Sequence, residues 1–358
     1  MKSEKYNRYS LVLMVTHECN LCCSYCYSGH KESRVMKPDI AFKAVERGIN
    51  SVIDGGILEL SFFGGEPLLE VDLLDDIIKY AEKLIVPKRI SLKISLTTNG
   101  TILNKRVKEL INHPALTLSV SCDGAPSVHN LNRYNAARRG SASLVYEMIE
   151  YLQSIGKEFT VVSVVTPNNV RHLPGTLLFL NEKRVKFIEL SLDLWSRWSD
   201  DDILSLELSI KECVKFWWEN IPELGITWFD EKLLQLSGNY KRDRCRFGNG
   251  DIAVSPAGNT YPCERLIGDD LPSNPMIIEH GIWNDNDFLS TYTSPERSSE
   301  SCSVCTMNSL CSTDCRCSNY IRTGEVNKPD KLLCIKEQIS LTEILNLYTR
   351  KEVDYVKQ

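Results

Sequence analysis

The sequence contains no long apolar run. The longest near its start, Leu11 to Val15, is far short of a signal-peptide core or a bilayer span, so a cytoplasmic chain is expected. An excess of basic charge is also missing: 42 Lys and Arg stand against 47 Asp and Glu, for a net charge of -5. Such a surface has no general attraction for phosphate backbones or anionic lipid, so neither nucleic acid nor a membrane is an expected partner. No internal repeat and no low-complexity tract is present. With 42% hydrophobic and 25% charged residues, a chain of 358 residues can bury a core and is neither fibrous nor a disordered tail.

What is abundant is cysteine. In a reducing compartment, 14 cysteines in a chain of this size point to metal or redox chemistry rather than disulfides. They crowd both ends and are sparse between, which implies two metal-binding regions. Between Ser10 and Asp193 the sequence alternates short apolar runs with amphipathic stretches. Strands are predicted at Leu11 to Val15, Leu58 to Phe63, Ser91 to Thr97, Leu116 to Ser121, Thr160 to Val165 and Phe187 to Leu192. Helices are predicted at Lys37 to Ile53, Val71 to Leu84, Lys105 to Ile111, Ser143 to Ile155, His172 to Lys183 and Asp201 to Asn220. Six βα repeats specify an α/β chain with a parallel sheet, open or partly closed like a barrel, whose chemistry sits at the C-terminal strand ends. After about residue 228 the rhythm stops and Gly, Pro, Ser, Asn and Cys dominate, as where metal clusters replace a hydrophobic core. A last helix is predicted over Lys336 to Val356.

Directly after the first predicted strand, Cys19, Cys23 and Cys26 form C-x3-C-x2-C. Three thiolates can hold three irons of a 4Fe-4S cubane and leave the fourth open. A zinc site completed by His17 or Cys22, and three unligated core cysteines, are the competing readings of these residues. With Tyr25 just before the last cysteine, the segment resembles the radical S-adenosylmethionine (SAM) superfamily. That resemblance implies a partial (β/α)6 barrel over 1–228 in which the open iron binds SAM, and reductive cleavage yields a 5'-deoxyadenosyl radical. Cys22 lies outside the pattern.

Further motifs extend the resemblance, each at a predicted strand end. Gly64-Gly65-Glu66-Pro67 follows the second strand, where glycines let a ligand approach the backbone and a carboxylate can pair with an ammonium; a plain Gly-Gly turn into a helix is the alternative. Thr97-Thr98-Asn99-Gly100 ends the third strand. Ser121-Cys122-Asp123-Gly124 ends the fourth and is followed by His129 and Arg133. The resemblance implies that Tyr25, Gly64, Gly65, Glu66, Asn99, Ser121, Asp123 and Arg133 bind the cofactor. Tyr25 would lie by the adenine, Glu66 on the methionine ammonium, and Arg133 would offer its fork to the carboxylate. A surface ion pair for Arg133 and a helix cap for His129 are the structural alternatives.

Near the other end stand Cys245, Cys263, Cys302, Cys305, Cys311, Cys315 and Cys334. Cys302 and Cys305 alone would suit a zinc ribbon. With twelve residues separating Cys245 from Gly258 and four separating Gly258 from Cys263, the full order resembles the SPASM extension of radical SAM peptide-modifying enzymes. It implies a cysteine-rich iron-sulfur domain over 229–340, followed by a C-terminal helix over 341–358, and three 4Fe-4S clusters in all. One auxiliary cluster would take Cys245, Cys263 and Cys315; the other would take Cys302, Cys305, Cys311 and Cys334. Asp251 stands where sulfatase maturases place an extra cysteine. It ligates, Cys317 substitutes, or one iron is open. Glu264 follows Cys263 where those enzymes carry an Asp base, which implies a proton acceptor; a rim carboxylate paired with Arg265 is the alternative.

Auxiliary clusters suggest substrate oxidation. The resemblance implies a precursor peptide as substrate, a thioether or carbon-carbon crosslink as product, and an external one-electron donor of flavodoxin or ferredoxin type. Formylglycine formation is the second reading, and a non-enzymatic iron-sulfur or zinc protein the third. Only 18 residues precede Cys19, so leader recognition is expected to use the barrel, the extension or a separate leader-binding protein.

Overall fold

The computed structural model describes residues 4–31, 33–238, 245–290, 300–311 and 315–356. Its strands are β1 (Tyr6–Met14), β2 (Val52–Phe63), β3 (Ser91–Thr98), β4 (Leu116–Ser121), β5 (Phe159–Val165), β6 (Phe187–Leu192), β7 (Gly225–Ile226), β8 (Asp251–Val254) and β9 (Thr260–Tyr261). The first six occupy the runs read as strands, with β1 and β2 beginning earlier. Between them the helices Pro38–Ser51, Val71–Ile85, Lys105–Ile111, Ala142–Ser154 and Leu173–Glu182 stand where amphipathic periodicity places them. The chain is a mixed α/β protein with a parallel sheet.

It divides into two units, each assembled from separate stretches of chain. The first comprises 1–121, 133–159 and 245–295; the second comprises 122–132, 160–244 and 296–358. In the first, strands run in the order β4-β3-β2-β1-β8-β9. Parallel register sets Leu11 opposite Leu60 and Ile252, and Leu13 opposite Phe62 and Val254. Because β1 is paired on both edges, Leu11, Leu13 and Met14 are almost wholly buried. The strand β8 differs from the sequence reading, which places no strand after residue 228. Only four residues long, Asp251–Val254 carries too little alternation to announce itself, and its pairing with β1 joins positions some 240 apart in the chain.

In the second unit β5, β6 and β7 pair in parallel. The helix Asp200–Asn220 opens on a capping box in which Ser199 and Asp202 satisfy each other's backbone N–H groups. Three aspartates in its first turn favour the positive end of the helix dipole. Leu206, Ile210, Cys213, Val214 and Trp217 recur at helical spacing and form its buried face. The helices Arg316–Thr323 and Lys331–Val356 complete this unit. No helix among the described residues is long and apolar enough to cross a membrane.

Candidate cofactor site

In the first unit the chain leaves β1 as a loop that carries Cys19, Cys23 and Cys26. Backbone bonds hang this loop from the end of β2: Val15 N–H donates to Phe63 O at 2.9 Å, Gly65 N–H to Thr16 O at 2.7 Å, and Glu66 N–H to Glu18 O at 2.8 Å. What approaches Gly65 is therefore the chain's own backbone. A Cβ at this position would lie 2.1 Å from Glu18 O, which no side chain can meet without displacing the loop.

The Glu66 side chain is fully buried. One carboxylate oxygen accepts from Leu68 N–H at 3.0 Å and the Thr98 hydroxyl at 2.7 Å; the other accepts from Asn99 N–H at 2.7 Å. Burial raises its pKa, and these donors and Arg133 oppose the rise. Asn99 continues the chain of contacts, its amide donating to Asn20 Oδ1 at 2.8 Å and reaching Cys19 Sγ at 3.7 Å. Thus Gly64, Gly65, Glu66 and Asn99 all converge on the cysteine loop.

The three thiols have different surroundings. Burial pushes the Cys19 thiol up to about 11, against a backbone bond from Leu21 N–H at 3.4 Å. At Cys26 burial acts in the same direction, yet the Lys31 ammonium at 3.0 Å and the Ser28 hydroxyl at 3.3 Å hold the thiol below its ordinary value. Cys26 N–H closes a turn onto Cys23 O at 3.2 Å. Lys31 escaped the sequence reading; a cation five residues past the last cysteine was its only signal. Arg133 is buried and donates from Nη1 to the Tyr25 hydroxyl at 2.6 Å. The neighbouring Tyr134 O accepts from Cys22 N–H at 2.7 Å, so Cys22 helps to seat the loop through its backbone.

Beyond Cys26 the loop docks on the segment that follows Cys263. Asp269 accepts from the His30 backbone N–H at 2.6 Å and its carboxylate faces His30 Nδ1 at 2.9 Å, while Arg34 Nη1 donates to Asp269 O at 3.3 Å. Tyr27 stacks on Phe63 with ring centroids 5.9 Å apart. Burial, with the charge of Glu264 next, raises its hydroxyl well above the usual tyrosine range; Cys263 and Cys26 act on it too. Tyr27, which the sequence reading passed over, thus stands near both Cys26 and the Cys263-Glu264 pair. The Cys263 thiol donates to Glu264 at 3.4 Å. Asp251 accepts from Arg246 N–H at 2.6 Å, directly beside Cys245 in the chain. Ser121 is half-buried at the end of β4.

The second unit holds the remaining candidates. Asp123 is buried, accepts from Val164 N–H at 3.0 Å, and donates its own N–H to His129 Nδ1 at 3.2 Å, so both close the turn beyond β4. Burial lifts the Cys334 thiol to about 11, and Cys311, Cys302 and Cys305, close enough to act on it, add to the rise. Cys315 Sγ lies 3.3 Å from Cys317 Sγ. Among the described residues no three His, Cys, Asp or Glu groups converge as they would on a single metal ion. A 4Fe-4S cluster sets each thiolate on its own iron and takes hydrogen bonds at sulfur. Loop thiols that receive Leu21 and Asn99 donors at Cys19 and the Lys31 donor at Cys26 suit that chemistry.

Residues 13–180 match the family model described as Radical SAM superfamily. The chain carries a radical SAM domain. As a radical SAM enzyme it has a family that implies a 4Fe-4S cluster and SAM. A cysteine-type anaerobic sulfatase-maturating enzyme of Clostridium novyi (strain NT) is 24% identical over 352 residues, covering 90% of this chain and 91% of the relative. A PqqA peptide cyclase of Bradyrhizobium diazoefficiens is 22% identical over 333 residues, covering 90% and 84%. Among solved structures, native anSMEcpe with bound AdoMet superposes with a TM-score of 0.77 at 20% identity, over 94% of this chain and 98% of that one. Streptococcus suis SuiB bound to precursor peptide SuiA gives 0.60 at 17% identity, over 91% and 76%. These likenesses establish the radical SAM fold.

Proposed function

We propose that this radical SAM enzyme is a peptide maturase that oxidises a ribosomally made substrate and installs a thioether or carbon-carbon crosslink. The observation that carries the reading is the docking of the cysteine loop on the segment after Cys263, where His30 N–H meets Asp269 and Tyr27 lies close enough to feel the charges of Glu264 and Cys26. Cys19, Cys23 and Cys26 would hold the SAM-binding cluster, and Cys245, Cys263, Cys315, Cys302, Cys305, Cys311 and Cys334 the two auxiliary ones. When bound, these groups and SAM supply a 5'-deoxyadenosyl radical and a sink for the second electron of an oxidation. Glu66 and Asn99 orient the cysteine loop, while Tyr25 and Arg133 offer a phenol and a guanidinium to the cofactor. Glu264 takes the proton that must leave a substrate radical along with its electron. The chain works in the cytoplasm with a flavodoxin- or ferredoxin-type donor.

Formylglycine formation is the second reading, favoured by the end-to-end alignment with the Clostridium novyi relative. Against it stand Asp251 in place of a cysteine and Glu264 in place of an Asp. The deciding experiment incubates anaerobically reconstituted enzyme, SAM and dithionite with peptides encoded beside its gene and with Cys- or Ser-containing sulfatase peptides. Loss of two hydrogens with sulfur retained in a neighbouring peptide supports crosslinking. An aldehyde on a sulfatase peptide supports formylglycine, and bound zinc without deoxyadenosine overturns both. Glu264→Gln should lower product formation at least about a hundredfold while deoxyadenosine still forms. Unchanged product in that variant would remove Glu264 as the base.

A further inference from the structure

The segment Asp193–Trp198 leaves the C-terminal end of β6, where parallel sheets place their ligands. Its sequence, Asp-Leu-Trp-Ser-Arg-Trp, has no regular period, yet it is tightly fastened. Asp193 is buried and accepts from Trp195 N–H at 3.0 Å, Ser196 N–H at 3.2 Å and the Ser196 hydroxyl. Its backbone N–H donates to Val165 O at 2.8 Å, and its carbonyl accepts from Trp198 Nε1 at 2.9 Å. From outside the segment, Arg322 Nη1 donates to both Leu194 O and Ser196 O at 3.0 Å.

The same guanidinium donates from Nε to the Asp330 carboxylate. Asp330 in turn starts the helix that carries Cys334, accepting from Leu332 N–H at 3.1 Å through Oδ1 and from Cys334 N–H at 3.1 Å through its carbonyl. Arg322 itself belongs to the helix that follows Cys315 and contains Cys317. One planar group thus joins the cysteine-bearing helices to the β6 loop, all within the second unit. A lysine cannot do this, since it has a single charged nitrogen where the site uses two nitrogens of a rigid fork.

While Trp198 is 8% exposed, Trp195 remains 45% exposed on this fastened loop. A large aromatic already held in place loses little entropy on contact, which is the condition for an anchor of binding energy. We propose that Arg322 is a positioning residue that locks the β6 loop to the Cys315–Cys334 region, and that Trp195 so presented is a contact for the substrate peptide. The identity of the substrate rests on the peptide-maturase reading; the locking does not.

The test uses the reconstituted full-length enzyme. Hydrogen exchange followed by mass spectrometry on Arg322→Ala and Arg322→Lys should show amides of 194–197 exchanging about tenfold faster. Arg322→Lys should keep protection at Cys334, because attraction to Asp330 survives while the carbonyl fork is lost. Unchanged exchange in the loop overturns the locking. For the peptide that gives product with unmodified enzyme, Trp195→Ala and Arg322→Lys should raise KM about tenfold, with the effect on KM rather than kcat. An unaltered KM in Trp195→Ala overturns the contact. If no peptide gives product the maturase reading fails and with it the contact, and exchange alone then decides the locking. Should Arg322→Ala not fold, the Lys variant and the exposed Trp195 substitution carry both arms.

Discussion

The two cysteine regions of this radical SAM enzyme are shaped by different forces. The N-terminal loop hangs from the end of β2 by backbone bonds at Val15, Gly65 and Glu66, and a buried carboxylate sits behind it. By contrast, none of the residues from Cys302 to Cys311 is buried, and Val304 is 83% exposed. Their order comes from short-range bonds, Cys305 N–H to Cys302 O at 3.2 Å and Asn308 N–H to Cys305 O at 3.1 Å. The first loop is therefore moulded by the sheet through backbone bonds. The second shows no buried residue between Cys302 and Cys311, the condition under which the proposed metal ligation would supply folding free energy.

The sharpest break in that contrast is removal of one ligand set. Replacing Cys19, Cys23 and Cys26 together by Ala should abolish deoxyadenosine formation yet leave iron at the extension, measured as iron and sulfide per chain. Deoxyadenosine from this variant would overturn the ligand assignment. Gly65→Ala comes next: with Glu18 O only 2.1 Å from the new Cβ, the loop must move. It should lose about four of about twelve irons and lower the unfolding midpoint, whereas iron at the wild-type level would mean the loop is not moulded by the sheet. Metal removal by a chelator should then speed amide exchange across 300–311 while 16–27 keeps its protection, and equal loss in both would erase the distinction.

The smallest effect probes the part of the second unit that needs no metal. Burial raises the Asp230 carboxyl from 3.8 to about 6, against a 2.8 Å hydrogen bond from Trp217 Nε1. The fold therefore favours its protonated form. Its contribution to stability is fully present below pH 3.8 and is lost as pH rises through about 6. Asp230→Asn should remove this slope and gain about 2 kcal/mol relative to wild type at pH 7, read from urea midpoints at several pH values. A difference between the two proteins that does not vary with pH would refute the assignment.

Much of the architecture was legible because its signals are short-range. β4 and β6 coincide with apolar runs readable within six residues, and the capped helix Asp200–Asn220 begins within one residue of its expected start. The cysteine spacings are likewise local, and they were enough to resemble a family. The short strand β8 was not legible, nor was the close approach of Glu18 O to Gly65.

The sequence by itself determined the alternation of strands and helices, the two cysteine sets and the candidate SAM motifs, since each rests on residue types within a few positions of one another. Only the tertiary structure decided that Glu66 is engaged by Thr98 and Asn99, that Tyr27 stands near Glu264, and that Arg322 holds the loop after β6. Those partners lie 32 to 237 positions apart. Contacts at such separations leave no period in a sequence, because the sheet that brings them together is formed by the whole chain.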